Sequence, residues 1–145
     1  MVNNNRGFTL IEILVVVIIL GIFIGLVSSR IMDKPEEARR TKTKLQIENL
    51  SATLDQYYLD TGYYPSTEQG LEALVEKPTV GRIPKKYREG GYLKGGKVPL
   101  DPWSNRYVYL SPGVNSKEFD LESYGADGED GGEGFDADVE SWNLQ

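Results

Sequence analysis

With no cysteine and no histidine among 145 residues, thiolate and imidazole chemistry is ruled out, and the side chains whose grouping most invites a chemical reading are the carboxylates that one stretch gathers. DGEDGGEGFDADVE, residues 127–140, holds seven acidic residues, four glycines and no base. Hard oxygen donors at this density suit a divalent cation such as calcium, which takes six to eight oxygens, while glycine permits turns that aim carbonyls inward. The stretch is not an EF-hand, because the D-x-D-x-D-G spacing is absent and no amphipathic helix follows. Composition by itself favours a plainer reading, a solvated acidic surface. A glycosidase pair of carboxylates would need a sugar cleft and one carboxyl of raised pKa, and a glycine-rich exposed loop offers neither. Thiolate nucleophiles, imidazole bases, disulfides and the usual zinc sites are excluded by composition, so the expectation is a non-enzyme.

One further carboxylate stands out by its surroundings. From Phe8 to Val27 every side chain is apolar, Gly or Thr except Glu12. An unpaired carboxylate inside such a run costs a few kcal/mol in lipid, so Glu12 needs a partner. The run has the length of a membrane-spanning helix. A secretory signal cut after Ser29 is the rival, but its apolar region is normally about 7–15 residues, shorter than this one. Charge does not orient the segment. Only Arg6 precedes it, whereas Arg30 to Lys44 carries six basic and three acidic residues. The overall net charge of −6 argues against nucleic acid as a partner, since a phosphate-binding surface is normally basic.

The remaining chain must position these groups. Ile47, Leu50, Leu54 and Tyr57 recur at three- and four-residue spacing, so a helix with one apolar stripe is expected to end near Gly62. Pro35 marks a kink or a fresh helix start. Ser66 and Gln69 have capping-box spacing, which predicts a short helix from Thr67 to about Glu76 with Leu71, Leu74 and Val75 inward, ended by Pro78. Residues 77–105, rich in Gly, Pro and Lys, read as a long ordered loop pinned by Tyr92, Leu93 and Trp103. Arg106–Ser111 and Lys117–Tyr124, joined through Pro112-Gly113-Val114-Asn115, read as an antiparallel hairpin, with Tyr107 and Tyr109 alternating against Val108 and Leu110, and with Phe119 and Leu121 sharing one face. Gly21 and Gly25 would let neighbouring helices approach closely.

Arg6-Gly7, then Phe8-Thr9-Leu10-Ile11-Glu12, then an apolar helix, resembles the leader of type IV pilins and pseudopilins. GYYPSTEQGLEAL, VPLDPWSNRYVYLSPG and FDLESYGADGEDGGEG, with Trp142, narrow the resemblance to the major pseudopilins of bacterial type II secretion systems. Together these motifs cover nearly the whole chain; at Ser29 it departs from the many relatives that carry proline. The resemblance implies an α+β, type IV pilin-like fold, with a long N-terminal helix, a small antiparallel sheet and a C-terminal metal-binding loop. It implies a leader at 1–7, a transmembrane and filament-core helix at 8–29, and a periplasmic head at 30–145. A membrane peptidase would cut after Gly7 and methylate Phe8, and Glu12 of one subunit would neutralise the Phe8 ammonium of the next. The partners implied are further copies of the chain, minor pseudopilins, prepilin peptidase, and an inner-membrane assembly platform with a cytoplasmic ATPase. The family's calcium site carries over to Asp127 and Asp138, with a carbonyl near Tyr124; Asp136 is a further candidate, and Glu129, Asp130 and Glu133 are weaker ones. The alternatives are a type IV pilin of a surface filament and a secreted calcium-binding module.

Overall fold

The computed structural model describes residues 9–31 and 33–144, without the side chains of 25–34. It divides into two units, residues 1–36 and 37–145. In the first, helix α1 runs Leu10–Ile31. Its described side chains from Leu10 to Ile24 are almost all exposed and apolar, with Leu10 at 86% and Ile24 at 70%. Among the described residues no helix is long and apolar enough to cross a membrane; the described side chains of α1 stop at Ile24, short of the full apolar run. Gly21 has open space where a side chain would stand.

Helix α2 spans Asp33–Thr61, and its part from Glu37 onward belongs to the second unit. Pro35 falls in its first turn, where the missing N–H breaks no intrahelical bond. The expected stripe is the core. Ile47, Leu50, Leu54 and Tyr57 are 0–1% exposed and pack with Leu71, Leu74, Tyr109, Leu121 and Val139, each buried aliphatic contributing about 1.5–3 kcal/mol. The helix stops at Gly62, whose φ of 82° suits a residue without a side chain and whose N–H donates to the Tyr58 carbonyl.

Ser66 and Gln69 do form the expected reciprocal pair, the Ser66 N–H donating to Gln69 Oε1 and the Gln69 N–H to Ser66 Oγ. The helix they were expected to start is shorter. Thr67–Gly70 is a turn, and a 3-10 helix occupies only Leu71–Leu74. Gly70, at φ 62° and ψ −169°, breaks the α-helical path, and Val75 is half-buried rather than part of the core. The 77–105 segment is an ordered loop as expected. Tyr92 is buried, its N–H and that of Leu93 both donate to the Leu74 carbonyl, and Gln69 Nε2 holds the Val80 and Arg82 carbonyls.

The hairpin is present but shorter than its sequence limits. Strands β1 (Val108–Leu110) and β2 (Asp120–Ser123) pair antiparallel with Tyr109 opposite Leu121. A third strand, β3 (Val139–Glu140), pairs antiparallel with β2 and completes the order β1-β2-β3.

Candidate metal centre

The pairing of β2 with β3 sets Glu122 opposite Glu140. Like charges directly opposite on a sheet repel. Asp138, just before β3, joins them: one carboxylate oxygen from each of Glu122, Asp138 and Glu140 lies within 4.8 Å of the other two, and all three residues are half-buried. Asp138 Oδ2 accepts the Gly131 N–H at 2.9 Å. Its Oδ1 is buried with no hydrogen-bond partner, a condition costing about 1–3 kcal/mol when nothing fills it. Burial first, then the charges of Asp138, Asp130, Glu140 and Asp120, push the Glu122 carboxyl above its ordinary pKa of 4.5. The Tyr124 hydroxyl is also raised, by burial and then by Glu122, Asp130 and Asp138. The neighbouring carboxylate charges that add to burial in raising these groups would also attract a cation. The donor set is all oxygen, which fits calcium and does not fit a soft metal.

The sequence-level candidates divide. Asp138 lies in the trio. Asp127 is exposed and its Oδ1 accepts the Glu129 N–H at 3.1 Å, a local turn. Asp136 is exposed; its carbonyl lies where a side chain at Gly125 or Gly132 would stand, so those glycines let the loop fold back on itself. Tyr124 is half-buried beside the end of β2, and Glu129, Asp130 and Glu133 are exposed. Glu122 lies outside the acidic stretch, and Glu140, although counted in it, was not named as a ligand from sequence. Their signal is the register of a two-residue strand, which no periodicity reveals.

Two other carboxylates are fully buried and fully occupied. Asp120, 2% exposed, accepts the N–H groups of Val114, Asn115 and Ser116 at 2.7–2.8 Å and the Asn115 side-chain amide. Burial alone would raise its pKa, but these donors outweigh it and hold the carboxyl below the usual range. Asp101, 4% exposed, accepts the Trp103 and Asn105 N–H groups at one oxygen and the Ser123 hydroxyl, at 2.6 Å, at the other. The turn they close forces Ser104 to a φ of 76°.

Gly7 and Phe8 lie outside the described residues. Glu12 is exposed at the start of α1, where its N–H donates to Thr9 Oγ1 at 3.3 Å and its Oε2 accepts the Thr9 N–H at 3.4 Å. This reciprocal capping gives the carboxylate a partner within its own first turn. The Thr9-x-x-Glu12 spacing was the available sequence signal.

Comparison with known proteins places the chain among secretion components. Residues 30–142 match the family model described as type II secretion system protein G, and residues 2–28 match the prokaryotic N-terminal methylation motif. The chain is 53% identical over 141 residues to type II secretion system core protein G of Pseudomonas aeruginosa, covering 97% of each. It is 50% identical over 143 residues to the core protein G of Vibrio cholerae, covering 99% of this chain and 95% of that one. Among solved structures, the major pseudopilin from the type 2 secretion system of enterohaemorrhagic Escherichia coli matches with a TM-score of 0.66 at 42% identity, over 77% of this chain and 92% of that one.

Proposed function

The chain belongs to the protein G family of the type II secretion system and is a structural subunit of its pseudopilus; from that premise we propose how its apolar end and its acidic loop serve assembly. Residues 1–7 are a leader removed after Gly7, Phe8 becomes the methylated amino terminus, and residues 8–29 span the inner membrane with the head, 30–145, in the periplasm. The match to the methylation motif and the exposed apolar surface of α1 support this. Prepilin peptidase, the inner-membrane platform with its ATPase, and minor pseudopilins are the partners that follow.

Glu12 exchanges partners. In the single chain it caps its own helix; in the filament the Phe8 ammonium of a neighbouring copy takes over. A buried ion pair adds little net stability, but an unpaired buried charge is costly, so the pair sets register. Glu12→Val is expected to insert into the membrane normally and to lose filaments, read by membrane fractionation and electron microscopy of the same cells. Normal filament yield from that variant would contradict the pairing.

The acidic loop holds calcium. The observation that carries this is the buried, unpartnered Asp138 Oδ1 beside Glu122 and Glu140. Those three supply the carboxylates, and Asp127, Asp136 and the Tyr124 carbonyl are the loop donors that the family resemblance adds. Bound calcium would neutralise the carboxylate repulsion and tie the loop to the β2–β3 pair. Calorimetry on the full chain in detergent is expected to give one site of dissociation constant about 10⁻⁴ M, as in extracellular calcium modules. No heat with Ca²⁺, or an equal affinity for Mg²⁺, would refute it.

A further inference from the structure

The inward face of α2 runs Arg40, Thr43, Ile47, Leu50, Leu54, Tyr57 in alternating steps of three and four. Every member is buried except Arg40, which is half-buried. An arginine at a core position needs an account, and its contacts supply one. Arg40 Nη1 donates to the Ala137 carbonyl at 2.6 Å and to the Gly134 carbonyl at 3.2 Å. These two carbonyls bracket Asp136, and Ala137 is joined directly to Asp138. We propose that Arg40 is the positioning residue of the acidic loop, coupling cation occupancy of the loop to α2; the coupling rests on the calcium reading above.

The loop's own bonds are few. Among the described residues, the Glu129 N–H reaches Asp127 Oδ1, the Asp136 N–H reaches the Glu133 carbonyl, the Ala126 N–H reaches the Phe135 carbonyl, and the Gly131 N–H reaches Asp138 Oδ2. Those bonds tie the loop to itself, whereas Arg40 ties it to a helix whose next turns form the core. Fixing the Ala137 carbonyl fixes the peptide plane that leads into Asp138, and so the aim of its carboxylate. Charge acts in the opposite sense, because a guanidinium repels a nearby cation. Its half-exposed position screens that repulsion, while the loss of a group that orients metal ligands typically weakens affinity 10–100-fold. Orientation therefore outweighs repulsion. A lysine at this position keeps the charge but lacks the planar fork, so Arg40→Lys separates the two effects from Arg40→Met.

The test uses the full chain in detergent, as wild type, Arg40→Met and Arg40→Lys. Hydrogen exchange of peptides covering 131–138 is measured in chelator, with the Leu71–Leu74 segment as a fold control, and calcium affinity is measured by calorimetry. Arg40→Met is expected to speed loop exchange about tenfold or more with the control unchanged and to raise the calcium dissociation constant about tenfold; Arg40→Lys falls between. If Arg40→Met unfolds the control segment, Arg40→Lys decides. Unchanged loop exchange in chelator, or unchanged or tighter calcium binding by the variants, overturns the proposal. A wild type that takes up no calcium overturns the calcium reading and the coupling with it, a result distinguishable from one in which the wild type binds and Arg40 does not matter.

Discussion

Asp120, the first residue of β2, and Asp138, in the loop just before β3, are aspartates of the same head, and the fold treats them in opposite ways. Asp120 is surrounded by four donors from residues 114–116, all supplied by the turn that it closes. Asp138 receives one donor, leaves one buried oxygen unpartnered, and faces two more carboxylates. Similar side chains thus stand in two conditions: a carboxylate satisfied from within staples the chain, and one left unsatisfied has an oxygen open to a ligand such as the calcium proposed above. Asp101, held by Trp103, Asn105 and Ser123, belongs with the first.

The contrast is sharpest when the staple is removed. Hydrogen bonds to a charged group contribute about 1.5–3 kcal/mol each and do not add fully, so Asp120→Ala is expected to cost about 3–5 kcal/mol. That is a large share of the usual 5–15 kcal/mol margin. Urea unfolding should show the same loss in calcium and in chelator; a loss confined to one condition would erase the distinction. Ser123→Ala comes next. It leaves a buried Asp101 oxygen without its hydroxyl partner and should cost about 1–3 kcal/mol, again without regard to calcium.

The smallest effect is in pH, and there the two carboxylates have opposite signs. Asp120 has a depressed folded pKa, so its stabilisation is present above its ordinary value of 3.8 and is lost as pH falls through the folded value. Glu122 has a raised folded pKa, so its favourable contribution is present below its ordinary 4.5 and is lost as pH rises through the folded value. In chelator, melting temperature should therefore rise modestly as pH is lowered from 7 toward the region just above 4.5 and fall again below 3.8. Calcium should flatten the rise, because it replaces the proton. A monotonic decline in chelator would remove Glu122 from the strained group.

Much of this head could be read from residue order. The α2 stripe, its stop at Gly62, the Ser66–Gln69 pair and the β1–β2 hairpin all rest on contacts within a few residues or on a period, which a sequence displays directly. The short helix was overextended because Gly70 permits a backbone path that periodicity cannot see. Within the acidic loop, seven carboxylates look alike in sequence. The family resemblance named Asp138 together with Asp127, but only the pairing of β3 with β2 sets Asp138 beside Glu122 and Glu140, and Glu122 lies outside the acidic stretch. Arg40 looked like one of several bases after the apolar run, although its place on the 43-47-50-54-57 face was a legible sign that it points inward.

The central claim is that the fold leaves Asp138 for calcium to complete, and thermal melting of the full chain in detergent tests it most directly. Wild type and Asp138→Asn are compared in about 2 mM Ca²⁺, the same Mg²⁺, and chelator. With a dissociation constant of about 10⁻⁴ M, calcium should stabilise the wild type by about 1.8 kcal/mol, Mg²⁺ should not replace it, and Asp138→Asn should lose the increment while melting in chelator close to the wild type. A wild-type melting temperature indifferent to chelator, or a calcium increment that survives in Asp138→Asn, would contradict the account.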